Sequence, residues 1–198
     1  LNPFIWPHGK SAWCPGTAPP DSDPAAIRAE SCAVRPRLRA RASDLHNRSV
    51  SKKSKKPKGA PRRPAARPAL TAADPCPCGR DAVYGDCCAP FHRGDAAAPT
   101  AERLMRSRYA AFATGDTAYL LRTWHPSTRP ATLDLDAERR WTGLDILATT
   151  GGSAFHTEGT VEFCAHSTWR GTADSQHENS RFVREDGAWV YVDALDGP

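Results

Sequence analysis

The chain has 198 residues, 27 of them Lys or Arg and 22 Asp or Glu, for a formal charge of +5. That length holds one good domain plus appendages. No run approaches the roughly 18–20 consecutive apolar residues that cross a bilayer, and the opening LNPFIWPHGKSAWCPG is interrupted by Pro3, Pro7, His8 and Lys10, so neither a membrane span nor a signal peptide is expected.

The charge is uneven. Residues 1–73 carry 15 basic and 4 acidic side chains, a net +11, whereas residues 74–198 carry 12 basic and 18 acidic ones, a net −6. The basic character belongs to a tail, and the foldable part is mildly acidic. Charge alone therefore does not make the folded part a nucleic-acid binder. Within the tail, VSKKSKKPKGAPRRPAARP (50–68) holds eight basic residues, four prolines and no acid. It offers too little apolar surface to offset the cost of ordering its backbone, so residues 1–73 are expected to be a disordered Pro/Arg/Lys-rich tail. Such an arm can make weak contact with RNA, ribosome or acidic lipid head groups. Without interleaved aromatics the plainer reading is a solubilising tail. The chain starts at Leu1 and its only methionine is Met105, so residues 1–49 are assigned no function, and Val50 is a candidate start.

Residues 76–88, CPCGRDAVYGDCC, gather four of the seven cysteines: Cys76, Cys78, Cys87 and Cys88. The default compartment is the cytoplasm, where thiols stay reduced, which weakens a disulfide explanation. Buried small hydrophobes or a C-x-C redox pair would not need both cysteine pairs. Zinc needs them: it takes four soft ligands in a tetrahedron, supplied by two pairs flanking a short loop. Pro75 and Pro77 hold the first pair extended, and Gly79 lets the backbone turn past the metal. Adjacent cysteines point apart on a strand, so Cys87 and Cys88 must sit at a bend or helix start to converge. His92, one helical turn beyond Cys88, is the alternative fourth ligand. A closed four-ligand site leaves no position for substrate, so the zinc is expected to be structural.

Helices come next. Thr100 is an N-cap for AERLMRSRYAAFATGD, whose apolar residues recur at helical spacing until Gly115. Asp116 restarts a short helix, TAYLLRTWH, stopped by Pro126 and Pro130. A third short helix is expected over 134–141. Four strands follow: WTGLDILATT, GTVEFCAHSTW, SQHENSRFVRE and AWVYVDAL, with hairpin signals at Gly151-Gly152, Gly171 and Asp186-Gly187. Helices followed by an antiparallel sheet make an α+β layout.

PCPCGRDAVYGDCCAPFH resembles the SEC-C zinc motif, best known from the C-terminal tip of the SecA translocation ATPase. TAERLMRSRYAAFATGDTAYLLRTWHPSTRP and HENSRFVREDGAWVYVDA resemble the YchJ (UPF0225) family, in which a SEC-C motif precedes a nuclear transport factor 2-like (NTF2-like) domain. The resemblance covers about residues 74–195. It implies a zinc knuckle at 74–93 and, at 99–196, a cone in which helices close one face of a curved sheet around a pocket. Arg80, Asp81 and Asp86 stand where SEC-C motifs commonly carry Ser and Lys, making this knuckle less basic.

Strand alternation nominates the pocket residues. Val161, Phe163 and Ala165 share one face, and Glu162, Cys164 and His166 the other. Glu178 shares a face with Ser180 and Phe182 and, if buried, needs a cation from Arg106, Arg108 or Arg129. Arg108, Tyr109, Trp124, His125 and Glu178 are thus the candidates for a polar cluster beneath the helices, either reading a small ligand or bracing helix to sheet. Cys164, His166 and His177 read as ordinary sheet-surface residues. No phosphate loop, nucleophile elbow or second metal set is present, so no catalytic motif marks an enzyme. Two functions follow. One is a cytoplasmic zinc-binding adaptor that contacts a protein partner or the ribosome through the knuckle, as a monomer or a homodimer paired through the sheet. The other is a small-molecule-binding protein or enzyme acting through the cone.

Overall fold

The structure is a computed structural model that describes Cys14 and residues 70–195. All of these fall in one compact unit. The remainder of the expected tail lies outside the described residues. Its last residues do not behave as a tail: the Ala72 carbonyl accepts from the Gly85 amide at 2.8 Å, and Asp74 caps the Thr71 amide at 2.6 Å.

Among the described residues, four helices precede four strands, as an α+β chain requires. Helices α1 (Tyr84–Cys87) and α2 (Ala89–Arg93) are single turns of the cysteine-rich segment. Helix α3 (Ala101–Thr114) begins where the Thr100 side chain accepts from the Arg103 amide at 3.1 Å, a cap that contributes about 1 kcal/mol. Its buried face carries Leu104, Met105, Tyr109 and Phe112, and the helix ends at Gly115. Asp116 caps α4 (Thr117–Arg122) by accepting from the Tyr119 amide at 2.9 Å. This helix stops before the expected His125. Its next residues pair with the last strand instead: the Tyr191 amide donates to the Thr123 carbonyl, and the His125 amide donates to the Tyr191 carbonyl at 2.7 Å.

Strands β1 (Arg139–Gly151), β2 (Glu158–Trp169), β3 (Thr172–Glu185) and β4 (Ala188–Leu195) form an antiparallel sheet in chain order. The last two hairpins are tight. Arg170-Gly171 and Asp186-Gly187 all have positive φ, the type I′ geometry that follows the twist of the flanking strands. The third helix expected at 134–141 is not there. The Asp136 side chain accepts from the Glu138 amide at 2.8 Å, a local turn that competes with helix, and β1 begins at Arg139.

The inner face of the sheet carries Val161, Phe163, Ala165, Ser180 and Phe182, all at 1% exposure or less, against Leu104, Met105, Tyr109 and Leu120. Burial of each large apolar side chain contributes about 1.5–3 kcal/mol. The expected alternation therefore holds. On the outer face His166 pairs with Asp145 at 2.8 Å, and His177 with Glu162 at 2.7 Å. Cys164, between them, is not the ordinary surface residue its strand position suggests. It is buried and disulfide-bonded to Cys14, a contact 150 residues away that no local pattern announces.

Candidate metal centre and the buried polar cluster

The metal centre is assembled by short-range backbone pairing. Pro75 and Val83 form an isolated antiparallel bridge, and the Cys76 amide donates to the Ala82 carbonyl at 2.9 Å. This folds residues 76–82 into a loop. Gly79 adopts φ +78° at its turn, and a Cβ there would meet the Leu144 carbonyl of β1 at 3.1 Å, so glycine serves both the turn and the close approach. Cys88 is the junction of α1 and α2, with φ −99° and ψ −21°. The bend brings its sulfur beside that of Cys87, as expected of adjacent ligands.

The four sulfurs of Cys76, Cys78, Cys87 and Cys88 lie within 4.8 Å of one another, and all four residues are buried. Cys78 and Cys87 are 3.5 Å apart, Cys87 and Cys88 3.9 Å. A zinc tetrahedron with bonds of about 2.3 Å has edges of about 3.8 Å, so the donor set fits the ion. Its protonation chemistry agrees. Hydrogen bonds from Cys76 and Cys88 pull the Cys78 thiol down, while that same sharing pushes Cys76 and Cys88 up. So many buried sulfurs cannot all ionise by themselves; a divalent cation lets them.

His92 is excluded from the ligand set by its own bonds. Its Nε2 lies 2.9 Å from the Ser107 carbonyl, which can only accept, so Nε2 carries the proton. Nδ1 therefore accepts from the Tyr84 hydroxyl at 2.8 Å, and its lone pair is spent. The Ser107 hydroxyl continues the chain to the Tyr119 hydroxyl at 2.6 Å. Burial holds the His92 pKa below its usual value, so the ring is a neutral strut between knuckle and cone. Arg122 adds a second strut, donating to the Phe91 and His92 carbonyls. Arg80, Asp81 and Asp86 are all exposed.

The five candidate pocket residues do not form one cluster. Arg108 and Glu178 are both buried and share the Tyr191 side chain as a neighbour. Arg108 is 3% exposed, donates to the Leu120 carbonyl and the Thr123 hydroxyl at 2.8 Å each, and lies over the rings of Tyr191 and Trp124 at 4.7 and 5.2 Å. Burial lowers its pKa to about 10, opposed by the nearby Glu178 carboxylate among others. Glu178 accepts from the Ser180 hydroxyl at 2.6 Å and from Gln176 at 3.2 Å. Tyr191 is also hydrogen-bonded to Glu178, and burial pushes its phenol up. Trp124 is at the edge of this cluster, perpendicular to Tyr191 and donating to Thr128 at 3.2 Å.

Tyr109 and His125 lie elsewhere. Tyr109 packs edge-on against Trp141 of β1, because consecutive helix positions diverge by about 100° and cannot share Arg108's direction. His125 turns outward to Glu185 at 2.8 Å and Ser127 at 2.6 Å, carried there by the backbone pairing of Thr123–His125 with β4. Of the three cations considered for Glu178, Arg129 is exposed, and Arg106 pairs with Glu102 at 2.7 Å. Sequence reasoning missed Tyr191. The only hint was the aromatic-rich AWVYVDAL strand, whose facing is shifted by a bulge between Arg181 and Phe182.

Comparison with known proteins places both parts. Residues 73–90 match the SEC-C motif, and residues 100–194 match the family described as YchJ, middle NTF2-like domain. A UPF0225 protein of Streptomyces coelicolor is 67% identical over 119 residues, which are 60% of this chain and 93% of that one. The solution structure of a SEC-C motif containing protein from Rhodopseudomonas palustris aligns with a TM-score of 0.55 at 32% identity, covering 62% of this chain and 98% of that one. A crystal structure of a SEC-C motif containing protein from Psychrobacter arcticus aligns with a TM-score of 0.52 at 27% identity, covering 65% and 87%. With 93% of a 67%-identical UPF0225 relative covered, and with both the SEC-C motif and the YchJ NTF2-like domain matched, the chain belongs to the UPF0225 (YchJ) family.

Proposed function

We propose that the chain is an adaptor: a structural zinc site shapes the knuckle, whose outward side meets a protein partner or the ribosome, and the cone is its rigid platform. The observation that carries this reading is the closure of the cone around Arg108 and Glu178. Val161, Phe163, Ser180 and Phe182 have no exposure, and the buried charges are engaged by Thr123, Ser180, Gln176 and Tyr191. Polar groups that serve one another inside a packed core brace a fold, whereas a ligand site keeps convergent polar groups around an open cleft.

The four-sulfur site supports the same division of labour. Four thiolates complete zinc's usual coordination, leaving no open position for a substrate or an activated water. The exposed residues of the knuckle include Arg80, Asp81 and Asp86, charges of both signs, beside the apolar Pro75, Ala82 and Val83. The test is quantitative co-purification of the intact chain at low salt, comparing wild type with a variant carrying Asp81→Ala, Val83→Ser and Asp86→Ala. The adaptor reading expects the variant to keep its zinc and its unfolding midpoint but lose the species that wild type retains. Retention of the same species at the same level would sink it.

A further inference from the structure

One feature is explained by neither the zinc motif nor the cone alone. Two arginines of α3, Arg103 and Arg106, reach from the cone into the knuckle, and each touches a different ligand pair. Arg103 places Nη1 3.6 Å from the Cys87 sulfur and Nη2 3.3 Å from the Cys87 carbonyl, while its guanidinium stacks over Phe91 at 5.2 Å. Arg106 donates from Nη1 to the Cys78 carbonyl at 3.0 Å, its Nε being held by Glu102. One helix face thus grips one residue from the C-x-C pair and one from the C-C pair.

We propose that Arg103 and Arg106 are positioning residues for the metal site, so that zinc binding and docking of the knuckle onto α3 are one coupled equilibrium. This rests on the zinc reading of the four cysteines. Four thiolates around a divalent ion leave a net charge of −2 among residues of 0–6% exposure. Such a charge is costly to bury unless cations and hydrogen-bond donors face it. The two guanidiniums face that charge; Glu102 neutralises one of them, which leaves a net +1 beside the donors that both arginines aim at the knuckle. Arg103 also donates to a ligand sulfur directly, the kind of outer-shell contact that orients a ligand and tunes its metal. The coupling is reciprocal: the metal draws the two cysteine pairs to one point, which fixes the Cys78 carbonyl and Cys87 sulfur where α3 can hold both. Conversely, the docked helix holds the ligands in place before the metal arrives.

The test measures zinc affinity of the full chain by competition with a chromophoric chelator, for wild type, Arg103→Met, Arg106→Met and Arg103→Lys. Coupling predicts that each Met variant still binds one zinc, with affinity reduced roughly ten- to a hundredfold. The Lys variant should recover part of the loss for Arg103, since an ammonium restores charge but not the forked geometry. Amide hydrogen exchange on wild-type protein, with and without zinc, supplies a reading that needs no variant: zinc removal should speed exchange in α3 around Arg103–Ser107. No zinc bound by wild type would overturn the zinc reading itself. Bound zinc with Met-variant affinities equal to wild type, or α3 exchange indifferent to zinc, would overturn the coupling alone.

Discussion

Glu178 illustrates how a single strand position fixes a side chain's fate. Alternation with Phe182 turns it inward, where Ser180, Gln176 and Tyr191 engage it and its charge reaches the buried Arg108. Glu178→Gln keeps the shape but removes the charge that opposes the cost of burying Arg108. Equilibrium urea unfolding should show a loss of about 1–3 kcal/mol. Unchanged or improved stability would instead mark Glu178 as a group held for ligand chemistry at the expense of folding. His92 carries a pH signature. Because burial depresses its folded pKa below the unfolded value near 6.5, the unfolded chain takes up the proton first, and the strut's contribution is present above that pH and lost as pH falls below it. The stability advantage of wild type over His92→Gln should therefore shrink between about pH 7 and pH 5. A constant difference would show that His92 does not act through its neutral form.

At the scale of elements, the knuckle should behave as a metal-dependent unit. Protein purified under reducing conditions without chelators should contain one zinc per chain by elemental analysis, and Cys87→Ser should lose it; zinc-free wild type would end the metal reading. The sequence already made much of this legible. The C-x-C-x8-C-C spacing is a local pattern, and the structure gathers those same four sulfurs. The strands were legible too, because their period of two is set by one buried face, and β4 has the expected bounds. The misses share a cause: each is a choice between local and distant partners. Residues 123–125 leave helix for β4, His125 goes with them, and 136–138 prefer an Asx turn to a helix. His92 had the right spacing for a ligand, but its lone pair is taken by Tyr84. Nothing in its neighbourhood in sequence says that Ser107 will orient the ring.

For the whole molecule, Thr71 and Ala72 bond to the folded part that the sequence expectation began at residue 74. Under reducing conditions, a chain starting at residue 70 should melt within a degree or so of the same chain carrying its full N-terminal segment. A chain starting at residue 74 should melt lower, because it loses the Ala72 carbonyl that accepts from Gly85, a bond of about 1 kcal/mol. Equal melting of all three would show that residues 70–73 contribute nothing. The Cys14–Cys164 bond gives the reduced condition its point. It closes a covalent ring from residue 14 to residue 164 that includes the whole knuckle, α3, α4, β1 and the first half of β2, and leaves the rest of β2 with β3 and β4 as a free end. A single protease cut anywhere from 15 to 69 opens that ring without releasing a fragment. On a non-reducing gel the cut chain should still run as one species, and only a thiol should resolve it into two.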